Sequence, residues 1–371
     1  MKLQHAAVLA TVGIAGAAAK TVYTGDTLFG YPVISALDIT DLPANTISRF
    51  WISAAQAQGG TNWFVPVFVA RGTNESLHSG RKLSLSASIH GDELNGIPVV
   101  GRVFKALNET VPAGGLNGTI VGIPTLNPNG NIFNQRNFFS SSSNGFWTNL
   151  NRVMPGETVE DGGAIANAYA YNIWNQVWGN LSNIDIAVDF HTLSTGSNGP
   201  LWAYADYRLP GVGRLAELAQ PDVIKIDPGE PGSVETTFVK NGVPAITLEI
   251  GPAKTWNQTL ISRAEAFVYR LLDDLSMTES ATPVDVDLSQ TYKATNISSV
   301  SVTYSGFAQF DVVPLQDVEE GQVVGTVFNA WGDVLETLTA PVSGRVLTVR
   351  VDPAVEMGAG VLDVLYNATS T

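Results

Sequence analysis

Between residues 82 and 277 the chain alternates between two hydrophobic rhythms. Short apolar runs come in the order "RKLSLSASIHG" (81–91), "GTIVGIPTLNP" (118–128), "IDIAVDF" (184–190), "PLWAYA" (200–205) and "VPAITLEI" (243–250). Their length and bounding turn residues predict buried strands, the second one ended by Asn127-Pro128. Between them, apolar residues recur three or four positions apart: Val100, Val103, Phe104 and Leu107, then Ile165, Tyr169, Ile173 and Val177. A short helix is expected around Leu215, and a longer one from about Leu260 to Leu275. Strands separated by helices of this size predict an α/β domain, a mixed sheet with helices on both faces.

The helical period disappears after "MTESATPVDVDLS" (277–289). From Tyr292 onward short valine-rich strands and closely spaced Gly/Pro turns predict a small C-terminal all-β domain. The expected organisation is a leader over residues 1–19, the α/β domain over 20–280 and the β domain over 281–371. "APVSGRV" (340–346) resembles the turn of a lipoyl- or biotinyl-carrier. Such a carrier needs a lysine at a hairpin tip, and none follows Lys293, so that role is excluded.

Composition adds a compartment. The 371 residues, 44% hydrophobic and 15% charged, suit a globular protein with a large core. "MKLQHAAVLATVGIAGAAAK" has a basic start, a small apolar stretch over 6–19 and an Ala-x-Ala ending. It predicts a secretory signal cleaved near Ala19, hence a secreted, extracellular protein. No later stretch reaches the roughly 18 apolar residues that span a bilayer, so the mature chain is expected to be soluble. Asn74, Asn108, Asn117, Asn180, Asn257, Asn296 and Asn367 each begin an Asn-x-Ser/Thr acceptor triplet, consistent with glycosylation on that route. With no cysteine, disulfides, Cys-ligated zinc and thiol catalysis are excluded. A net charge of -14 argues against nucleic acid or an anionic membrane as partner.

The chemistry concentrates on histidine, of which there are four. His5 lies in the leader and His78 in a polar turn. His90 and His191 both sit at the C-terminal ends of predicted strands, where open α/β sheets place ligand sites. His90 opens "HGDE", so Glu93 follows within one turn, and a cation could be held by both. Two histidines and one carboxylate are a common catalytic zinc set, with a fourth position left for water. Asp189 points to the same strand face as His191 and could accept its other ring N–H. By spacing alone, a metal site and two unrelated turn histidines both remain open.

Five motifs stand in order: "HGDE", "NPNGNIFNQRNF" (127–138), "NLNR" (149–152), "DFHT" (189–192) and "PAITLEIG" (244–251). The chain resembles the aspartoacylase/succinylglutamate desuccinylase family, a branch of the zinc carboxypeptidase-like hydrolases, over residues 82–275 and into the β domain. The resemblance implies one Zn2+ per chain on His90, Glu93 and His191, with Glu249 as the catalytic glutamate. It implies that Arg136 stabilises the developing oxyanion, and that Asn151 and Arg152 grip a substrate carboxylate. One departure is Asn149, where the family usually has an acid; losing that charge is expected to loosen Arg152 or a ligand histidine. Another is the long polar loop over 140–145. Ser233 and Glu235 in "PGSVETTF" fall in a pocket-wall segment and are left without a role.

The expected function is a zinc hydrolase that cleaves an amide next to a free carboxylate, on an N-acyl amino acid or short peptide. A metallocarboxypeptidase acting on peptide C-termini uses the same chemistry, and activated water also attacks esters. A non-catalytic secreted binding glycoprotein on the same scaffold is the remaining reading. A closed pocket capped by the β domain would favour small substrates, and an open groove peptides.

Overall fold

The computed structural model describes residues 20–141, 146–278 and 284–368. The expected leader, the boundary at 280/281 and residues 142–145 of the polar loop lie outside these. The predicted strands and helices of the α/β domain all form, within a few residues of their expected ends.

Its centre is parallel: Gly118–Ile123, Arg81–Ala87, Ile186–His191 and Ala245–Ile250 lie side by side in that order. Three of these four strands are buried at every position, so they are apolar on both faces rather than alternating. Helices Gly96–Thr110, Val212–Leu218 and Gln258–Asp274 cover one face, around Leu85, Val103, Phe190 and Phe267. Helices Ile165–Gln176 and Val234–Lys240 cover the other, around Tyr169, Trp174, Trp178 and Phe238.

The sheet extends beyond what the hydrophobic pattern indicated, to eleven strands among the described residues. Val22–Leu28, Tyr31–Ala36, Thr46–Gln56 and Asn62–Arg71 add one flank. Leu201–Ala205, antiparallel to Ala245–Ile250, and then Val223–Ile226 and Tyr292–Ala294 add the other.

The two regions are interlocked across that flank. Tyr292–Ala294, expected to open the β domain, is instead the edge strand of the large sheet. Conversely, Ser197–Asn198 leaves the α/β domain to pair with Val349 and Arg350 of the C-terminal sheet. The C-terminal sheets enclose a valine-rich core of their own, including Val324, Val346 and Val364. A separate apolar cluster joins Trp202 and Val223 of the large sheet to Leu347 and Leu365 of the β domain. Leu365 is fully buried there. Leu365→Ala should therefore cost about 2–5 kcal/mol in urea unfolding; a loss below about 0.5 kcal/mol would show that the two regions do not stabilise each other.

Candidate active site

Strand register builds the site. His191 stands opposite Glu249 on one neighbouring strand, and Asp189 stands opposite Ser86 on the other. Ser86 Oγ donates to Asp189 Oδ1 at 2.7 Å. Asp189 and His191 share a strand face, and Asp189 Oδ2 lies 2.7 Å from His191 Nε2. The other ring nitrogen, Nδ1, lies 2.8 Å from Glu93 Oε2. His90, in the turn after Arg81–Ala87, brings its Nδ1 to 2.8 Å from Glu93 Oε1. The two rings are 5.0 Å apart at 70°. One potential ligand atom from each of His90, Glu93 and His191 lies within 4.8 Å of the others, and all three residues are buried.

A close backbone approach holds the "HGDE" turn. A Cβ at Gly91 would lie 2.1 Å from the carbonyl carbon of Gly130, so only glycine fits. Gly130 belongs to helix Pro128–Phe133, whose N-cap Asn127 accepts the Gly130 N–H at 2.8 Å. That helix stops on Asn134 in the left-handed conformation and delivers Arg136. Arg136 Nη1 donates to Glu93 Oε1 and to Ser194 Oγ, each at 2.7 Å. "NPNGNIFNQRNF" thus acts as a bracket between the histidine turn and the arginine.

Asn149 keeps a contact on His90. Its Oδ1 accepts the backbone N–H of Asn151 at 2.9 Å, which identifies that atom as oxygen. His90 Nε2, 3.0 Å away, therefore donates to it, and Nδ1 carries the ring lone pair. The expected loosening of His90 is not seen; what the asparagine lacks is the charge. His90 Nδ1 is buried and without a hydrogen-bond partner, although a carboxylate oxygen lies close by. A lone pair facing a carboxylate repels it unless a cation lies between them. The donor set, two imidazoles and a carboxylate, fits a catalytic zinc ion.

Charge balance in the site follows from burial and neighbours. Burial pushes the Glu93 carboxyl up, but His90 and His191 outweigh it and hold it well below the usual carboxylate range. Burial drives His90 down. For His191 burial also acts downward, but Asp189 and Glu93 win and raise it well above its ordinary value. Glu249 is pushed up to about 8 by burial, with His191 resisting and Glu93 adding to the rise. Its Oε2 is buried with no hydrogen-bond partner among the described residues.

These groups open into a cavity of about 220 Å³. Asn151 and Arg152 line it, as do Trp202, Tyr204 and Glu235. The buried Asn151 accepts the Val234 N–H through Oδ1 at 2.8 Å. Arg152 donates to the Asn151 carbonyl oxygen at 2.8 Å and is 40% exposed, with Glu230 3.7 Å away. The β domain closes part of the wall through Ile297, Leu347, Thr348 and Asp363. His78 is exposed on the one-turn helix Ser76–Ser79 and lies outside the lining. Sequence reasoning missed Trp202 and Tyr204, although their spacing of two in "LWAYA" puts both rings on one strand face.

A model of the succinylglutamate desuccinylase/aspartoacylase catalytic domain matches residues 79–275. The chain belongs to that family. It is a family of deacylase-type hydrolases, and the matched segment includes His90, Glu93, Arg136, Asn151, Arg152, His191 and Glu249 but not the wall strands of the β domain. No curated protein matches the sequence. A succinylglutamate desuccinylase/aspartoacylase from Rhodobacter sphaeroides superposes with a TM-score of 0.74 at 16% identity, over 91% of this chain and 100% of its own. The product-bound ectoine utilization protein of Ruegeria pomeroyi gives 0.71 at 18% identity, over 88% and 97%. An aspartoacylase family protein from Mesorhizobium loti gives 0.68 at 20% identity, over 89% and 96%. At these identities the likeness is one of fold, and it includes the C-terminal β region.

The raised carboxyls make stability pH-dependent. Glu235 and Glu249, both pushed up to about 8 chiefly by burial, keep protons that the unfolded chain releases near 4.5. His191 keeps one that is ordinarily released near 6.5. From pH 6.5 to 8 the folded state binds more protons, so stability falls as pH rises. His90, shifted down, opposes this only below about 6.5, and Glu93 acts only below about 4.5. Chelator-treated protein should melt at a lower temperature at pH 8 than at pH 6.5, with Glu249→Gln flattening the slope. A melting temperature that climbs across that window would contradict these protonation states.

Proposed function

We propose that the protein is a zinc-dependent amidohydrolase that removes the acyl group from a small N-acyl amino acid. The observation that carries this reading is the convergence of His90, Glu93 and His191 beside the buried, register-paired Glu249. His90 Nδ1, His191 Nδ1 and the Glu93 carboxylate would hold the ion. When bound there, zinc supplies Lewis-acid polarisation of a carbonyl and a water acidified towards neutrality.

The remaining work falls to the chain's own side chains. Glu249 takes a proton from the attacking water and returns it to the leaving nitrogen. Burial raises its proton affinity, and a zinc ion held beside it by His90, Glu93 and His191 would favour the carboxylate form that can accept this proton. Arg136 faces the oxygen on which charge develops, where a fixed guanidinium contributes a large share of the rate. Arg152, with a planar fork suited to carboxylates, and the Asn151 amide hold the free carboxylate of the substrate. Asp189 and Asn149 hold the outer ring nitrogens of the two histidines and set their orientation.

Pocket size supports a small substrate over a polypeptide. About 220 Å³ is below the roughly 300–1,000 Å³ of pockets for drug-sized ligands. The wall contributed by Leu347 and Asp363 restricts the space that a peptide chain would need. Export and glycosylation belong to the same proposal: Asn74, Asn108, Asn117, Asn180 and Asn367 are exposed, and Asn257 and Asn296 half-buried. Among the described residues, no helix is long and apolar enough to cross a membrane.

Purified protein should contain close to one zinc per chain and lose hydrolysis of N-acetyl amino acids on chelation. Glu249→Ala should keep the zinc while kcat falls by about 10²–10⁴. Wild-type turnover in that variant would remove Glu249 from the mechanism. Asp189→Asn should weaken zinc binding about 10–100-fold in a competition titration; unchanged affinity would mean that Asp189 does not orient the metal-binding ring.

A further inference from the structure

Part of the pocket wall is acidic and aromatic, and no step proposed above uses it. Glu235 lies in the first turn of helix Val234–Lys240, whose N-cap Ser233 accepts the Thr236 N–H at 3.1 Å. The residue is only 2% exposed, yet it lines the cavity. Its Oε2 accepts the Thr236 hydroxyl at 3.2 Å, while Oε1 has no hydrogen-bond partner among the described residues. Gly229, at φ +70°, makes room for this carboxyl: a Cβ there would stand 2.7 Å from Oε2.

The surroundings of Glu235 are negative. Burial raises its proton affinity first, and Asp227, Asp206 and Asp189 raise it further. The same kind of field acts on Tyr204, whose hydroxyl is shifted upward by burial and then by Glu249, Asp227, Asp363 and Glu230. Nearby cations are already engaged: Lys225 pairs with Asp227, and Arg208 with Asp206. Asp363, reaching in from the β domain, accepts the Ser299 and Thr348 hydroxyls. Among the described residues, neither Glu235 nor Asp363 has a cationic partner. The field of these carboxylates, as distinct from the burial, favours any cation placed there, and a cation bound beside Glu235 would in turn favour its ionised form. Trp202 and Tyr204 line the same pocket with ring centroids 4.4 Å apart, and aromatic faces also attract cations.

Resting on the amidohydrolase reading above, we propose that the substrate is an N-acylated amino acid whose side chain ends in an ammonium or guanidinium. Glu235 is the specificity-determining acceptor of that cation, with Asp363 and the two aromatic rings completing its surroundings. An N-acylated acidic amino acid would instead set a second carboxylate among these groups, where it is repelled.

The test uses the zinc-loaded full chain and four compounds: Nα-acetyl-lysine, Nα-acetyl-norleucine, Nα-acetyl-glutamine and Nα-acetyl-aspartate. Wild type should show a kcat/KM for the lysine compound about tenfold or more above that for norleucine, and Glu235→Gln should collapse this ratio. A wild-type preference for norleucine, glutamine or aspartate overturns the assignment while leaving the hydrolase reading intact, and this arm needs no variant. So does a lysine ratio that Glu235→Gln leaves unchanged. If none of the four is hydrolysed, the amidohydrolase reading fails separately, and calorimetric binding of the same compounds decides the cation site. Binding of Nα-acetyl-lysine about tenfold tighter than norleucine supports it, and equal affinities overturn it.

Discussion

A carboxylate buried between two imidazoles is the arrangement on which the rest of this structure depends. Removing Glu93 from water costs several kcal/mol unless its charge is met. Here Arg136 and the Thr192 N–H donate to it, and His191 adds an opposite charge. The arrangement tolerates no slip of the strand that carries His191. A shift of one residue would turn His191 and Asp189 to the opposite face and place Phe190 in the site. The two apolar cores, one on each face of the sheet, therefore do more than stabilise: they hold the register that holds the charges.

Polar residues cluster where those cores end. Asp189, His191 and Glu249 are buried ionisable groups on strands otherwise filled with Ala, Val, Ile, Leu, Phe and one Thr, and all lie toward the C-terminal ends. Parallel strands bring their C-terminal ends to one edge of the sheet, so chemistry scattered over 160 residues of sequence converges there. The antiparallel strand Leu201–Ala205 adds Trp202 and Tyr204 to that edge, with Trp202 directly opposite Glu249. The C-terminal sheets, in which no lysine follows Lys293, supply the pocket's remaining wall.

Some of this was legible in the order of residues. The "HGDE" turn and "DFHT" were visible as polar interruptions of apolar runs, and the structure brings their side chains together. Arg136, Asn151 and Arg152 came through likeness of motif, and all three line the cavity. The first four strands were not read: Val22–Leu28 is largely exposed and lacks a continuous apolar run, while the apolar run of Asn62–Arg71 is interrupted by Pro66, which argues against a strand inside a sheet. Glu235 was visible as a charge in "SVETTF" but had no readable purpose. Its burial comes from packing between elements far apart in the chain.

Within residues 81–277, local pattern by itself determined which segments become the central strands and helices and which end in ionisable groups, because strands buried on both faces read as short apolar runs and helices show a 3.6-residue period. It also determined the two-part organisation and the exclusion of thiol chemistry. Only the tertiary structure decided strand order and register, the partner of each ring nitrogen and the sharing of one pocket by two domains. Those depend on contacts between residues distant along the chain, which no local period encodes.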